Sequence, residues 1–480
     1  MEGVFKPALN LGNSVIGVGI LAMPYCIEKC GLVLGLSLLA LSATFTIWSL
    51  KMLVRSAQLT HKSSYEQLAY HTFGRHGKLV IELSIIGLTI GCLTSFFVVI
   101  GDLAPPIVAN SLGINWSPSY LRMGLMMFFA FAISLPLSLL RNIDSLSGVA
   151  ISSLFFYSCL LIRVVLMSLT SLVNTDVWRT VSLVKFDGLL HCLPICALAL
   201  SCHPQMFVIY IQMADPSIRK MSTVINGSIY MVATGYGLMA FFGYMMFVRD
   251  GIKGDVLTNF PHDGLSQLFR FGFSLSVVVG FPLVVFPVRA SIYSLLFSKQ
   301  TSSAEPIPAR IFNLITVAII TGTLTIALLV PNVEVVLTLT GATTGSIVSF
   351  IFPSLIFLSV VGSHAPFSNR AKFLAVLGVL VMVVGTATII SEHMREDDGR
   401  HLPGSKDFPR PFVPQAKGPV AIDDAVLNLP AAVNAPQLPE GDGGDVIKND
   451  VIGDDVMEKE GVHIPAVVVV EEGKMEEGVR

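Results

Sequence analysis

Eleven apolar segments follow one another between residues 8 and 391, and they leave little choice of fold class. They run approximately 8–27, 32–54, 79–103, 119–139, 149–173, 189–212, 222–248, 265–296, 309–330, 335–361 and 371–391. A run of about 20 apolar residues is long enough for a helix to cross the hydrocarbon core of a bilayer. In hydrocarbon each backbone polar group must find its partner within the protein, so such runs are helices. The 480 residues are 53% hydrophobic and only 13% charged, too few charges for a soluble protein of this size. The expectation is an all-α polytopic membrane protein with about 11 transmembrane helices. Segments eight and ten exceed what a bilayer needs, so tilt or kinking is expected in both.

The near-neutral net charge of −2 hides two unlike parts. Residues 1–391 hold 22 Lys/Arg against 14 Asp/Glu, whereas residues 392–480 hold 9 against 19. The expected division is a transmembrane domain over 1–391 and an acidic tail over 392–480. That tail is rich in Pro, Gly, Asp and Glu and too polar to bury a core, so disorder is expected there. The short apolar run Val467 to Val470 gives no sign of a role. Loops after alternate segments, together with Lys6, hold about twice as many Lys and Arg as the opposite set. The positive-inside rule then puts the N-terminus in the cytosol. The sequon Asn115-Trp-Ser117 falls on the outer side in that topology, although Pro118 disfavours its use. Eleven spans put the tail outside the cytosol, and one span more or fewer would reverse this. Between segments two and three, Tyr65, Leu68, Ala69, Thr72 and Phe73 have helical spacing and predict a short helix on the membrane surface. His61, His71 and His76 in that stretch read as solvated loop residues. The seven cysteines lie in or beside apolar segments and imply no disulfide framework. The first segment lacks the ending of a cleavable signal and reads as a retained span.

Two of the segments are interrupted. The first contains Asn13-Ser-Val-Ile-Gly-Val-Gly-Ile-Leu-Ala-Met-Pro24, with polar residues, two glycines and a proline in mid-span. Gly weakens a helix by roughly 1 kcal/mol relative to Ala. A broken span is tolerated where it lines a cavity, which points to a transporter binding site. The same small residues also suit a close helix crossing. In segment six, Ala199-Leu-Ser-Cys-His-Pro204 brings a second break, since Pro204 frees carbonyls near residues 199–201. Five segments are an odd number, so a repeat of segments one to five by six to ten enters the membrane from the opposite side. The two breaks then occupy corresponding positions in an inverted repeat.

The first motif resembles the first-helix motif of the amino acid/auxin permease family. Cys202-His-Pro204, Phe242-Gly-Tyr244, Gly254-Asp-Val-Leu257, Phe286-Pro-Val-Arg289 and Thr340-Gly-Ala-Thr343 are similar, in the same order, to landmarks of its sodium-coupled neutral amino acid transporter branch. The likeness covers about residues 4–391 and leaves out the tail. It implies a leucine-transporter-like five-plus-five inverted repeat and alternating access. It also implies that Asn13 is an ion ligand whose partner is a hydroxyl on segment eight. The matching position here is Gly280, a departure from the family pattern. Ser276, one turn upstream, would then substitute, or carbonyls and water would complete the shell, or sodium coupling would be weak or absent.

The residues themselves suggest a substrate. The amides of Ile16, Gly17, Val18 and Gly19 open the second half of segment one and suit a carboxylate. The carbonyls near Leu200 and Ser201, with the Ser201 hydroxyl, suit an ammonium. Neither break carries a charged side chain, which fits a zwitterion better than a dicarboxylate. Tight packing at Gly17 and Gly19, a hydroxyl bonded to its own helix at Ser201, and an amide bridge at Asn13 are the plain structural alternatives. His203 is the ionisable group nearest the second break and is a candidate for proton coupling. It too has a plain alternative, a bond to a carbonyl. Cys202 beside it lacks further ligands, so no metal site is expected. Arg163, in the middle of segment five, needs an acidic partner, for which Glu82, Asp102 and Glu334 are the candidates; Glu82 also reads as an interfacial charge.

These features predict a secondary transporter of neutral, glutamine-like amino acids. Its partners are the small-molecule substrate and the lipid bilayer, with no nucleic acid. It needs no cofactor beyond Na+ or H+ as coupling ion. The alternative is an amino-acid-sensing receptor with the same fold. No filter-like loop marks a channel, and no H-E-x-x-H or G-x-S-x-G pattern marks an enzyme. Plasma and internal membranes remain equally open.

Overall fold

The computed structural model describes residues 2–112, 118–140, 147–213, 217–261, 263–297, 307–362 and 367–400. The sequon at Asn115 and the tail beyond Arg400, with Val467 to Val470, lie outside the described residues. Ten described helices are long and apolar enough to cross a membrane, and one sharply bent pair makes an eleventh. Span 1 is that pair, Val4–Val15 and Gly19–Cys30, bent by 63°. Spans 2 to 6 are Leu32–Thr60, Tyr65–Ala109, Ser119–Ser138, Ser152–Val173 and Leu189–Gln212. Spans 7 to 11 are Ile218–Phe247, Gly264–Phe297, Ala309–Leu329, Val333–Val361 and Ser368–Ser391. All eleven apolar segments of the sequence are therefore spans of a multi-pass integral membrane protein. The helix of span 11 continues to Arg400, past the expected end at residue 391.

The short helix expected from Tyr65 is present. It is joined to span 3 through Gly74, whose φ of 64° and ψ of −153° break the helical path. Tyr65, Leu68 and Ala69 are buried, and the Tyr65 hydroxyl donates to the Val348 carbonyl of span 10 at 2.8 Å. Span 8 contains Pro282 and Pro287, and span 10 widens into π-helical turns over Gly341–Gly345 and Ile347–Ile351. Span 10 thus departs from regular helix, whereas span 8 runs as one helix through both prolines.

Span 1 passes into span 2 at Gly31, whose φ of 82° suits glycine alone. A side chain there would also strike the backbone of Leu183 and Val184 at 2.7 Å. The first amides of span 2 lack intrahelical acceptors. The connection before span 6 supplies them: Leu32 and Val33 donate to the carbonyls of Ser182 and Leu183, each at 2.9 Å. Lys185 returns an amide to the Cys30 carbonyl at 2.7 Å. This exchange holds the end of span 1 beside the start of span 6.

The internal charges are paired by proximity rather than by depth. Arg163 bonds Asp263 at 3.0 Å, not Glu82, Asp102 or Glu334. Asp263 immediately precedes span 8, and a long guanidinium stem reaches it from span 5. Asp102 pairs with Arg122 at 3.1 Å. Glu82 is buried, accepts from the Ser294 hydroxyl at 2.8 Å and lies 3.4 Å from Lys78. Its carboxylate is therefore packed inside the protein beside the partly exposed Lys78.

Candidate functional site

The two interrupted spans meet. The first half of span 1 ends at Val15 and the second begins at Gly19, leaving Ile16 to Val18 outside regular helix. Span 6 stops at Ala199 and resumes at His203, leaving Leu200 to Cys202 between. A Cβ built on Gly19 would lie 2.8 Å from the Ala199 Cβ and 3.3 Å from its Cα. The start of one half-helix thus rests on the end of the other, and only glycine permits the approach. Val4–Val15 and Gly19–Cys30 meet at 63°, the one described pair of half-helices bent by more than 40° at a short break.

Span 7 braces both halves of span 1. The Ser228 hydroxyl approaches the Ala8 carbonyl at 2.8 Å and the carbonyl of Val224 at 2.7 Å. The buried Tyr236 hydroxyl donates to the Val15 carbonyl at 3.1 Å, at the last residue before the break. Further along, a Cβ on Gly243 would strike the Pro24 ring at 2.6 Å, so that ring packs on the Gly243 backbone. Tyr236 and Ser228 were not singled out by sequence reasoning. A tyrosine in mid-span, with a polar tip that has to find a partner, was the available signal.

The second break is wired to spans 2 and 10. The Ser349 hydroxyl donates to the Ser201 hydroxyl at 2.9 Å. The Ser49 hydroxyl donates to the Ser349 carbonyl and lies 2.8 Å from His203 Nε2. A serine has one hydrogen, and that hydrogen is committed to Ser349, so Nε2 of His203 carries the proton that Ser49 accepts. Nδ1 is then a bare acceptor, and it is buried without a hydrogen-bond partner. The His203 side chain is fully buried. Ser49 and Ser349 escape sequence reading because hydroxyls are ordinary inside apolar helices and only the fold brings these two together.

The ion-site candidates are less tightly gathered. Asn13 Oδ1 is buried and has no partner, an orphaned hard oxygen. Ser276 is occupied elsewhere: its hydroxyl is 3.0 Å from the Tyr157 hydroxyl and 3.4 Å from that of Ser153. A Cβ on Gly280 would meet nothing within 4 Å, so that position borders open space. Gly17 is also less crowded than Gly19, with Phe96 at 3.8 Å from a built Cβ.

The landmarks of segments seven to ten each have a structural part. Tyr244 accepts from the Ser182 amide at 3.2 Å. Asp255 accepts from the Leu257 amide at 2.9 Å. Arg289 donates to the Ser138 carbonyl at 3.1 Å and to Thr316 at 2.9 Å, with its guanidinium 3.7 Å from the centre of the Phe312 ring. Gly341 lets span 10 approach span 6, since a Cβ there would lie 2.3 Å from the Pro194 carbonyl oxygen. All seven cysteines are free.

Residues 2–391 match the family described as transmembrane amino acid transporter protein. Solute carrier family 38 member 10 of Homo sapiens is 36% identical over 404 residues, which cover 83% of this chain and 36% of that protein. The Mus musculus protein of the same name is 36% identical over 389 residues, 80% of this chain and 35% of that one. This chain thus spans about a third of the length of these curated relatives. Amino acid transporter AVT6B of Arabidopsis thaliana is 26% identical over 404 residues, 79% of this chain and 87% of that protein. Among solved structures, the substrate-bound outward-open state of a Na+-coupled sialic acid symporter matches with a TM-score of 0.42 and 11% identity. That alignment covers 81% of this chain and 97% of that one.

Proposed function

The chain belongs to the transmembrane amino acid transporter family, and from that membership and its apposed helix breaks we propose that it is a secondary active transporter of neutral, glutamine-like amino acids. It works by alternating access and is coupled to sodium or protons. The observation that carries this is the contact of Gly19 with Ala199, which places the unwound backbone of span 1 beside that of span 6.

The substrate carboxylate is received at Gly17, Val18 and Gly19, where the second half-helix opens with the positive end of its dipole; the Ile16 amide, expected in this set, instead donates to the Gly12 carbonyl at 3.2 Å. The ammonium is received at Leu200 and Ser201, through carbonyls and the Ser201 hydroxyl, whose oxygen keeps a second lone pair after accepting from Ser349. Neither recognition needs a charged side chain, so a net-neutral zwitterion meets its complement on both breaks. The buried, unpaired Asn13 Oδ1 supports a sodium contact in the first half of span 1. Because Gly280 has no hydroxyl, Ser276, whose oxygen keeps a lone pair beside its contact with Tyr157, or carbonyls and water complete that shell. The bare Nδ1 of His203 supports the proton alternative, as a buried acceptor beside the second break without a hydrogen-bond partner.

The test is uptake of labelled glutamine into proteoliposomes under a sodium gradient, a pH gradient or neither. Accumulation that follows sodium supports the Asn13 site. Accumulation that follows only pH moves coupling to His203. Binding of amino acids without any uptake overturns transport and leaves a receptor.

A further inference from the structure

Away from the two breaks, a crevice of about 330 Å³ opens between spans 2, 7, 10 and 11. It lies at the C-terminal end of span 2 and the N-terminal ends of spans 7 and 11, on the face that the charge distribution places in the cytosol. Lys51, Arg55 and Arg370 line it, and no carboxylate does. Among the described residues none of these three cations takes part in an ion pair. The guanidinium of Arg370 lies 4.8 Å from the Trp48 ring centre and 4.9 Å from that of Phe367. Phe367 adopts a φ of 75°, a left-handed conformation that costs a non-glycine residue energy and persists only where its surroundings enforce it. Asn226 also lines the crevice, and its Oδ1 is buried without a hydrogen-bond partner.

Three cations lining one crevice without a carboxylate among the lining residues call for an anion of more than one charge or with several acceptor oxygens. The unpaired amide oxygen calls for a hydroxyl donor beside it. Thr44, Ser222 and Tyr230 add hydroxyls to the lining, and the rest of the wall, including Ile218, Ile225 and Phe357, is apolar surface that a hydrated ion alone would leave unfilled. Phosphate, polyol and hydrocarbon together describe an anionic phospholipid. Basic pockets between helices on the cytoplasmic side suit such headgroups.

We propose that this crevice binds the phosphate-polyol headgroup of an anionic phospholipid of the cytoplasmic leaflet. The phosphate lies among Lys51, Arg55 and Arg370, a headgroup hydroxyl donates to Asn226, and the acyl chains follow the apolar wall. A lipid bound there ties span 2 to spans 7 and 11.

Native mass spectrometry of the purified full chain tests this with phosphatidylglycerol, with phosphatidylcholine of the same acyl chains, and with soluble glycerol phosphate. Phosphatidylglycerol is expected to remain bound where phosphatidylcholine is stripped. The triple variant Lys51→Gln, Arg55→Gln and Arg370→Gln is expected to weaken retention by roughly a hundredfold, a factor of about five for each cation near an anionic lipid. The charge-preserving Lys51→Arg, Arg55→Lys and Arg370→Lys variant is expected to keep it. Equal retention of both lipids, or unchanged retention in the neutralised variant, would overturn the site. Glycerol phosphate bound as tightly as the lipid would overturn the lipid source and leave a free-phosphate site. If the neutralised variant does not fold, the comparison of the two lipids on the wild-type chain still decides.

Discussion

The Tyr236 hydroxyl donates to the Val15 carbonyl at 3.1 Å, at the point where span 1 loses its helix. A carbonyl freed by a break has no partner in its own helix, and burying it unpaired costs about 1–3 kcal/mol. Tyr236→Phe keeps the ring and removes only the donor. The expected result is a lower melting temperature for the purified protein, by the equivalent of about 1–3 kcal/mol, together with reduced uptake. Unchanged stability and uptake in that variant would show that the break is held by other contacts.

Gly17 and Gly19 separate in their expected behaviour. Gly19 has Ala199 within 2.8 Å of a built Cβ, whereas Gly17 meets only Phe96 at 3.8 Å. Two backbones cannot yield as a side-chain tip can, so Gly19→Ala forces the two breaks apart. A displacement of about 1 Å at a binding site can cost about a hundredfold in rate. Melting temperature and uptake are expected to fall together in Gly19→Ala, whereas Gly17→Ala is expected to keep the wild-type melting temperature. The reverse order would place the critical approach at the wrong glycine.

The spans were legible because their signal is local and strong. Apolar runs of span length, a Gly-x-Gly in the first and a Ser-Cys-His-Pro in the sixth require no knowledge of neighbours. The two breaks were read from composition, and their apposition through Gly19 and Ala199 was implied by a repeat argument. What sequence could not supply was the identity of partners. Arg163 went to Asp263 because guanidinium reach, rather than membrane depth, selected the acid. Ser276 stands at the right helical spacing to replace a hydroxyl at Gly280, but its contacts with the Tyr157 and Ser153 hydroxyls come from another span and no spacing announces them. The link from Ser201 through Ser349 and Ser49 to His203 joins three spans, and no spacing rule connects residues that far apart.

Gly280 and Asn13 give a paired test of the coupling ion. Asn13→Ala removes the orphaned oxygen and is expected to abolish sodium stimulation of uptake. Gly280 borders open space, so Gly280→Ser adds a hydroxyl without a clash. If sodium binds between them, that hydroxyl is expected to lower the half-saturating sodium concentration by about tenfold, equivalent to about 1.4 kcal/mol of added binding. Uptake measured against sodium concentration reads both variants. A Gly280→Ser protein with unaltered sodium dependence would remove this position from the ion site.

Asp255 sets a pH dependence of stability whose sign follows from its surroundings. It lies in the connection between spans 7 and 8, is buried, and leaves Oδ2 without a partner. Burial, reinforced by the charges of Asp102 and Glu334 and opposed by the Leu257 amide and Arg270, pushes its carboxyl up to about 8. The folded protein therefore holds this proton at neutral pH, while the unfolded chain releases it near its ordinary value of about 4. Stability is undiminished below about pH 4 with respect to this group, falls as pH rises from there through about 8, and changes no further above. Asp255→Asn carries the neutral form at every pH. Melting temperatures measured from pH 5 to pH 9 are expected to decline more steeply for wild type than for Asp255→Asn, and the variant is expected to be the more stable at the alkaline end. Parallel declines would mean that Asp255 is ionised in the folded protein and finds its counter-charge in Arg270.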